Sequence, residues 1–559
     1  MLFLFLATKT KERLSRCGSM VYANKAALPP VSTQGLWLFI IFFLKSRQVP
    51  TFLCGFFVFK ILVKYTNFQR NKQNFYFVIL IKSIFFCNLY NKKSKIRKTR
   101  ISGPEKKAKK RKLSCKYKLE KFEKYKLVCQ LAVTINRHFP DFYRKVSSLP
   151  DYRKRPKYEV KELIVSGLLL FLFKQKSRNQ ADNTAKNYDY QDNIKSIFGI
   201  KVADMDTVDK YLRWISPCKL EQIKQDLFRE VVKSKTFQKY KFAGKYFMLA
   251  IDGSGLQSYD YEPYPGCPYK KSKNGKKVWT TYVLEAKVVT SNGFSISLAT
   301  EWIENPTNKT FDKQDCEIKA FDRLAIRLKK EFPRLPLVLL LDSLYPKDPV
   351  FSICKTNNWR YIITLKDKNL KSVQEQITDK LLFKDYGKQN HLITDKRHWL
   401  KNDYKFFETI YKAHTLYIAE TLFEKQHKLT GEKQQIRFVH VTDIFLNKDN
   451  VHQVSEAGRL RWKIENEGFN NQKNNGYNAE HKFSRTNFNA TKNYYQLMQI
   501  ADIINQLTYK IIHIQGFIKN FGFTINALIE AILSYLKAME FDDFKLIEDI
   551  LAKNVQLRY

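Results

Sequence analysis

The chain has 559 residues, enough for more than one domain and for a large buried core. Hydrophobic residues make up 44% of it and aromatic residues 14%, which excludes a chain that is disordered throughout. Lysine and arginine exceed aspartate and glutamate by 99 to 53, a formal net charge of +46. This charge indicates a polyanionic partner, nucleic acid first and an anionic membrane surface second, although an AT-rich coding sequence accounts for part of the lysine excess. The nine cysteines form no Cys-x-x-Cys pair, so we expect reduced thiols and no zinc knuckle.

The first 116 residues differ from the rest of the chain. Residues 1–90 alternate short apolar runs with lysine and arginine, and no run reaches the roughly 18 apolar residues of a membrane-spanning helix. Two interpretations stay open here: membrane-associating segments, or upstream sequence that is not a true domain. Residues 91–116 are crowded with basic residues, which is typical of a solvated linker or of an arm that binds phosphate backbone without reading sequence.

Residues 117–240 are predicted to form a helical domain. Residues 160–176 have the composition of a buried helix that is too short to span a bilayer. Residues 206–215 and 218–233 have the spacing of amphipathic helices. The domain is interpreted either as a DNA-binding unit or as helices that only support the fold.

Strands and helices alternate in residues 241–382, which predicts an α/β layer. Tyr246–Ile251 and Leu335–Leu341 are apolar runs typical of buried strands, and each ends in a polar loop. The remaining predictions are strands at 279–289, 294–302 and 360–365 and a helix at 313–332.

Residues 383–450 are predicted to be a β-rich insertion, with strands at 406–422 and 435–445. Residues 451–559 return to helical patterns. They contain a helix that begins near Arg461 and continues into a polar stretch rich in asparagine, lysine and glycine. Amphipathic helices follow at 494–512 and 525–538.

Two aspartates, Asp252 and Asp342, stand where the two apolar strands are predicted to end. Ligands of α/β proteins usually bind at this edge of the sheet. With Glu465 as a third carboxylate, such a set of hard oxygen ligands suits Mg²⁺ or Mn²⁺ better than zinc. Two divalent ions held there would activate water or a 3′-hydroxyl and stabilise the leaving oxygen at a phosphodiester.

Each carboxylate also has a plainer interpretation. An aspartate after a strand is often a turn former or a helix cap, and Glu465 has the spacing of an ion pair with Arg461. Glu467 is the rival third carboxylate, but it points about 200° around a helix from Glu465. Only one of these two glutamates is therefore expected to face the aspartates.

Three blocks of the sequence resemble those of DDE-type insertion-sequence transposases. The blocks are Ala250-Ile251-Asp252-Gly253-Ser254, Leu340-Leu341-Asp342-Ser343 and Arg461-Trp462-Lys463-Ile464-Glu465-Asn466. The resemblance covers roughly residues 117–515. It implies an RNase H-like mixed α/β sheet flanked by helices, with a β-rich insertion before the last catalytic helix and an N-terminal helical domain.

The family branch that fits best carries a Tyr-Arg-Glu-Lys signature, and the match to it is incomplete. Arg461 stands four residues before Glu465, as the signature requires. Gly458 replaces the tyrosine, and Gln472 stands where the lysine is expected, with Lys473 one place later.

The resemblance assigns roles to several of these side chains. It implies that Asp252, Asp342 and Glu465 are the catalytic residues and the ligands of Mg²⁺ or Mn²⁺. Arg461 is implied as a phosphate contact, and Lys473 and Tyr477 are further candidate DNA-binding residues.

The resemblance implies a bacterial transposase that hydrolyses DNA at the ends of its own element and joins the freed 3′-hydroxyl to target DNA by transesterification. Its partners would be double-stranded DNA and a second copy of the chain in an active homodimer, without a stable membrane partner. It would be cytoplasmic and bound to the nucleoid. The alternatives are a nuclease on the same core that does not transpose, and a decayed DNA-binding relic that no longer cuts DNA.

Overall fold

The computed structural model describes residues 123–307, 313–378, 393–394, 398–541, 543–552 and 557–559. These residues belong to one unit of the chain, Lys110–Tyr559. The predictions for residues 1–90 and 91–116 lie outside the described residues.

Helices fill the described chain up to residue 240, as their apolar periodicity predicts. They are α1 (residues 123–138), α2 (Phe142–Ser147), α3 (Val160–Leu172), α4 (Arg178–Ala185), α5 (Tyr188–Phe198), α6 (Met205–Trp214) and α7 (Pro217–Lys233). The helix α3 is buried along nearly its whole length because eight of its residues from Leu163 to Leu172 are aliphatic or aromatic. These helices share one hydrophobic core with the sheet that follows, so they lie against it within the same unit.

The next part of the chain alternates strands with helices. The strands are β1 (Phe247–Tyr259), β2 (Tyr269–Lys271), β3 (Lys277–Val289), β4 (Ser295–Ile303), β5 (Leu337–Leu341), β6 (Arg360–Thr364), β7 (Ile393–Thr394), β8 (His398–Tyr411), β9 (His414–His427) and β10 (Lys433–Thr442). The intervening helices are α8 (Glu317–Glu331), α9 (Asp348–Asn357) and α10 (Lys371–Thr378).

These strands form one mixed sheet in the order β4-β3-β1-β5-β6-β10-β9-β8-β7, with β2 paired to the outer part of β3. The pairs β1–β3 and β3–β4 are antiparallel, whereas β1–β5 and β5–β6 are parallel. From β10 onward the pairing is again antiparallel. The α/β prediction, a mixed sheet flanked by helices, is therefore confirmed.

Two strand predictions need correction. The strand predicted over 246–251 continues through Asp252 to Tyr259, because residues 252–255 stay hydrogen-bonded to β3. The single strand predicted at 406–422 is the hairpin β8–β9, whose tight turn contains Lys412 at φ 51°. No glycine, proline or asparagine marks that turn, so the sequence carried no signal for it.

The strands of the predicted insertion extend the central sheet. β10 pairs with β6, and β9 and β8 continue the sheet outward from it. The segment before Glu465 is therefore joined to the core by backbone hydrogen bonds, and the helix Val451–Leu460 packs over it.

The C-terminal part is helical. It contains α11 (Val451–Leu460), a π turn (Ile464–Phe469), α12 (Asn470–Asn474), α13 (Phe488–Tyr509), α14 (Ile512–Phe521), α15 (Ile525–Ala538) and α16 (Phe544–Ala552). The helix α13 is buried on almost every side, between α3, α6 and α7 and the sheet. No single described helix is both long and apolar enough to cross a membrane, although Ile512–Asn520 and Ile525–Ala538, bent by 94°, pass that test as a pair.

A buried polar layer separates α13 from β3 and β4. We define it by five residues that are at most 2% exposed: Lys224, Glu285, Lys287, Gln499 and Asp502. The Nζ of Lys287 donates to Oε1 of Gln499 at 2.8 Å, and Ser297 donates to Glu285 at 2.8 Å. Because buried charges need partners, these contacts explain how so polar a layer is held inside the fold.

Candidate active site

Asp252 and Asp342 lie side by side at one edge of the sheet. The parallel pairing of β1 with β5 matches Ala250 to Leu340, and the same offset places Asp252 level with Asp342. Neighbouring strands are about 4.8 Å apart, so the two side chains start from adjacent positions. The preceding residues of both strands are buried aliphatics, which hold the two aspartates at fixed positions.

Asp252 is mostly buried and makes two polar contacts. Its Oδ1 accepts from the backbone N–H of Gly253 at 3.0 Å, and its Oδ2 pairs with Nη1 of Arg461 at 3.1 Å. Burial raises the pKa of Asp252 to about 6, and the charges of Asp342 and Glu465 act in the same direction. Arg461 opposes this rise in the pKa without cancelling it.

Glu465 belongs to the π turn that follows α11. The carbonyl oxygen of Glu465 accepts from the N–H of Asn470, a spacing of five residues that widens the helix. Its side chain is exposed, and its charge is near enough to raise the pKa of Asp252. Glu467 instead pairs with Lys463 at 3.1 Å and lies beside Gly293. Of the two rival glutamates, Glu465 is therefore the one that the structure brings to Asp252.

Arg461 reaches the carboxylates from the end of α11. In the described structure its ion pair is with Asp252, and the i,i+4 pair with Glu465 that the spacing allowed is not formed. The Nε of Arg461 is buried and has no hydrogen-bond partner among the described residues. The Nη1 of Arg461 thus contacts Asp252, whereas its Nε donor has no acceptor among the described residues.

Packing accounts for the two positions at which the chain departs from the signature, Gly458 and Gln472. A Cβ on Gly458 would lie 2.5 Å from ring atoms of His440 on β10, so α11 can approach the sheet only with glycine there. Gln472, which replaces the expected lysine, is buried and donates to Asp502 at 2.7 Å. Gly458 therefore has no room for the tyrosine of the signature, and Gln472 faces the core instead of a DNA-binding surface.

The two remaining predicted DNA contacts fall in different environments. Lys473 is partly exposed and pairs with Glu480 at 3.3 Å. Tyr477 is 1% exposed, and its hydroxyl accepts from Asn505 at 2.8 Å inside the core. Because a buried ring has no surface to offer DNA, Tyr477 is a packing residue here, and we do not retain it as a DNA contact.

Glu317, which the sequence analysis missed, is a fourth carboxylate at this edge. It is the first residue of α8, and its carboxyl group lies 2.5 Å from where a Cβ on Gly253 would stand. The pKa of Glu317 is raised to about 6, mainly by burial and further by the charges of Asp252 and Asp342. A glutamate in the first turn of a helix is common for electrostatic reasons alone, so its sequence gave no distinctive signal.

Tyr345 is a buried residue next to these carboxylates. It is fully buried, and its hydroxyl has no hydrogen-bond partner in the described part of the chain. Burial raises the pKa of Tyr345, and Glu317, Asp342 and Asp252 raise it further, which places the ring among these carboxylates. The hydroxyl is therefore a neutral donor beside three carboxylates.

The residues that could hold a cation are the four carboxylates of this edge: Asp252, Asp342, Glu317 and Glu465. In the conformation described, no three His, Cys, Asp or Glu side chains stand close enough together to hold a metal ion. The ion pair of Arg461 with Asp252 takes one of the oxygens that such an ion would need. We refer to these four carboxylates as the carboxylate edge.

Comparison with known protein families and with curated proteins identified no relative of this chain. No family model matches the chain, and no curated protein is similar to it. Function therefore has to be inferred from the carboxylate edge and its surroundings.

Proposed function

We propose that this protein is a DDE-type transposase with an RNase H-like catalytic core, which cleaves DNA at transposon ends and transfers the strand into target DNA. The observation that supports the proposal is that Asp252 lies level with Asp342 on neighbouring parallel strands, with the charge of Glu465 near enough to raise the pKa of Asp252. The mixed sheet, with a β-rich segment ahead of the Glu465 turn, is the arrangement that the resemblance implies.

The donor set fits a hard divalent cation. Carboxylate oxygens are the ligands that Mg²⁺ and Mn²⁺ prefer, and burial, together with the charges of Asp342 and Glu465, raises the pKa of Asp252. Asp252, Asp342 and Glu465 would hold the cation. When bound, the cation supplies an activated water or 3′-hydroxyl and charge stabilisation at the leaving oxygen.

The protein side chains position the substrate. Buried strands fix Asp252 and Asp342, so that little reorganisation is needed when the phosphodiester arrives. Arg461 stands next to Asp252 and keeps part of its side chain exposed, which suits its guanidinium to contact a backbone phosphate beside the bond that is cut. The proposed substrate is double-stranded DNA, bound by a homodimer in the bacterial cytoplasm at the nucleoid, and the net charge of +46 supports such a polyanion.

The first test is Asp252→Ala, assayed on labelled duplex DNA from the sequence that flanks the reading frame. We expect the variant to bind this DNA in a gel shift as the unmodified protein does. We expect Mg²⁺-dependent strand cleavage to fall by about a thousandfold or more, because electrostatic stabilisation of the transition state is lost.

A matched control is Asp449→Asn, which removes the charge of an exposed aspartate far along the chain. It should cleave normally. Full cleavage by Asp252→Ala would contradict the assignment. Joining of labelled 3′ ends to a target plasmid separates a transposase from a nuclease on the same core, which would cleave without joining.

A further inference from the structure

A second charged feature lies outside the carboxylate edge. Three segments that are distant in sequence enclose a cavity of about 430 Å³: the start of α4, one face of α6 and the loop at 481–486. We call it the basic cavity and define it by Arg178, Asp209, Arg213, Lys482, Ser484 and Arg485. It shares no residue with the carboxylate edge.

Cations outnumber anions in the basic cavity. Arg178 and Arg213 share the buried carboxylate of Asp209 at 3.1 and 2.7 Å, and Arg178 also pairs with the exposed Asp206 at 3.4 Å. Within the described ranges Lys482 and Arg485 form no ion pair, and Nζ of Lys482 stands 3.9 Å from the ring centroid of Tyr259. Four cationic side chains therefore meet two carboxylates, which leaves an excess of positive charge at the cavity.

The cavity also contains an unused hydrogen-bond donor. Ser484 is 4% exposed, and its Oγ has no partner in the part of the chain that the structure describes. Buried hydroxyl groups normally find a partner, so this one points to an acceptor that arrives from outside. Guanidinium groups and a hydroxyl around one cavity match the oxygens of a phosphate group.

The loop at 481–486, which lines the cavity, is attached to the strand that carries Asp252. Gln257 donates to the backbone oxygen of His481 at 2.9 Å, which ties the loop to β1. Gln257 is five residues after Asp252 on that strand, which bulges between Gly255 and Ser258, so the rise is at most about 17 Å at about 3.3 Å per residue. One strand of a DNA duplex advances about 3.4 Å per nucleotide, so this distance corresponds to about five nucleotides.

We propose that the basic cavity binds a backbone phosphate of the DNA substrate about five nucleotides from the bond that is cleaved. The inference rests on the proposed function, because it takes its DNA substrate from there. It adds a phosphate contact made by Lys482, Arg485 and Ser484, none of which belongs to the transposase signature.

The test uses the double variant Lys482→Ala/Arg485→Ala in the full chain, with equilibrium binding to a labelled duplex measured over a range of salt concentrations. We expect binding about tenfold weaker at about 0.1 M salt, because a charge-assisted contact to phosphate is lost. The slope of log affinity against log salt should become smaller by about one, the value for one phosphate contact. Arg334→Ala, an exposed arginine just before β5 at the opposite edge of the sheet, is the control and should keep the slope.

Phosphate ethylation interference then locates the contact. The unmodified protein should be blocked by ethylation about five nucleotides from the cleaved bond, and the double variant should lose that position alone. An unchanged slope and interference pattern would overturn the inference while leaving the proposed function standing. Inorganic phosphate that stabilises the unmodified protein against heating, with no change in DNA binding by the variant, would also overturn it. If the unmodified protein binds no DNA, the proposed function fails together with the inference.

Discussion

The buried polar layer and the carboxylate edge both contain several charged side chains. The charges are paired in the layer, whereas like charges lie together at the edge. In the layer, Lys287 and Lys224 offset Glu285 and Asp502, and the amide side chain of Gln499 hydrogen-bonds both Lys287 and Gln472. At the edge, four carboxylates face one guanidinium. Paired charges in a core support the fold, whereas like charges held together at an accessible edge are costly for stability and are typical of a site that awaits a ligand.

The two regions are in contact through the π turn. A Cβ on Gly468 would lie 3.1 Å from Oγ of Ser295 and 3.2 Å from Cδ of Lys287. The turn that carries Glu465 therefore rests directly on the buried polar layer, and a larger residue at Gly468 would have to displace the side chains of Ser295 and Lys287. The layer therefore stabilises the fold and also supports the turn that carries Glu465.

Breaking the layer should have the largest effect on stability. Lys287→Ala removes the main counter-charge of Asp502, leaves Glu285 with Lys224 alone and opens a cavity, so we expect a loss of about 3–5 kcal/mol in the free energy of unfolding. Chemical denaturation monitored by circular dichroism measures it. Lys287→Met, which keeps most of the side-chain volume, should lose most of the same amount.

Lys355→Ala on the exposed face of α9 is the control for this variant, and its effect should stay within about 0.5 kcal/mol. Equal stability of Lys287→Met and the unmodified protein would show that the charge of Lys287 contributes nothing. The contrast between the two regions would then be lost.

Relieving the edge should have a smaller effect of opposite sign. Burial and two neighbouring carboxylates raise the pKa of Glu317 from 4.5 to about 6, so the folded state holds this proton more tightly than the unfolded state does. The folded state therefore loses stability as the pH rises from about 4.5 to about 6, and the loss persists above that range. Glu317→Gln should stabilise the metal-free protein by on the order of 1 kcal/mol at pH 8, once screening by solvent is allowed for.

The gain from Glu317→Gln should disappear near pH 4, where the glutamate is protonated in both states. Thermal denaturation over this pH range measures the difference. Glu331→Gln, at the other end of α8, is the matched control, and it removes an ion pair with Arg229 instead of a repulsion. A gain in stability that does not depend on pH would contradict the electrostatic explanation.

The sequence was informative where a local pattern decides the structure. β5 and the first half of β1 are apolar runs that end at an aspartate, so both strands and both aspartates could be predicted. The helix α15 begins and ends where its periodicity indicated. Glu317 could not be predicted, because it reaches Asp252 only when α8 packs over Gly253.

The buried polar layer was equally invisible in the sequence. Lys287 and Glu285 alternate on β3 like residues of a solvent-exposed face, and only the packing of α13 turns that face inward. The same burial places Tyr477 in the core, although its polar neighbours in sequence indicated a surface position. Side chains whose surroundings come from distant segments cannot be assigned from local periodicity.

Lys473 gives the smallest expected effect, because it belongs to neither region. Its ion pair with Glu480 is partly exposed on both sides, and such pairs contribute little to stability. Lys473→Ala should change the free energy of unfolding by less than about 0.5 kcal/mol, and a double-mutant cycle with Glu480→Ala should give a coupling of similar size. A coupling well above about 1 kcal/mol would mean that Glu480 holds this lysine in place. A weak coupling leaves Lys473 free to exchange Glu480 for a DNA phosphate, the contact that the resemblance implies for this lysine.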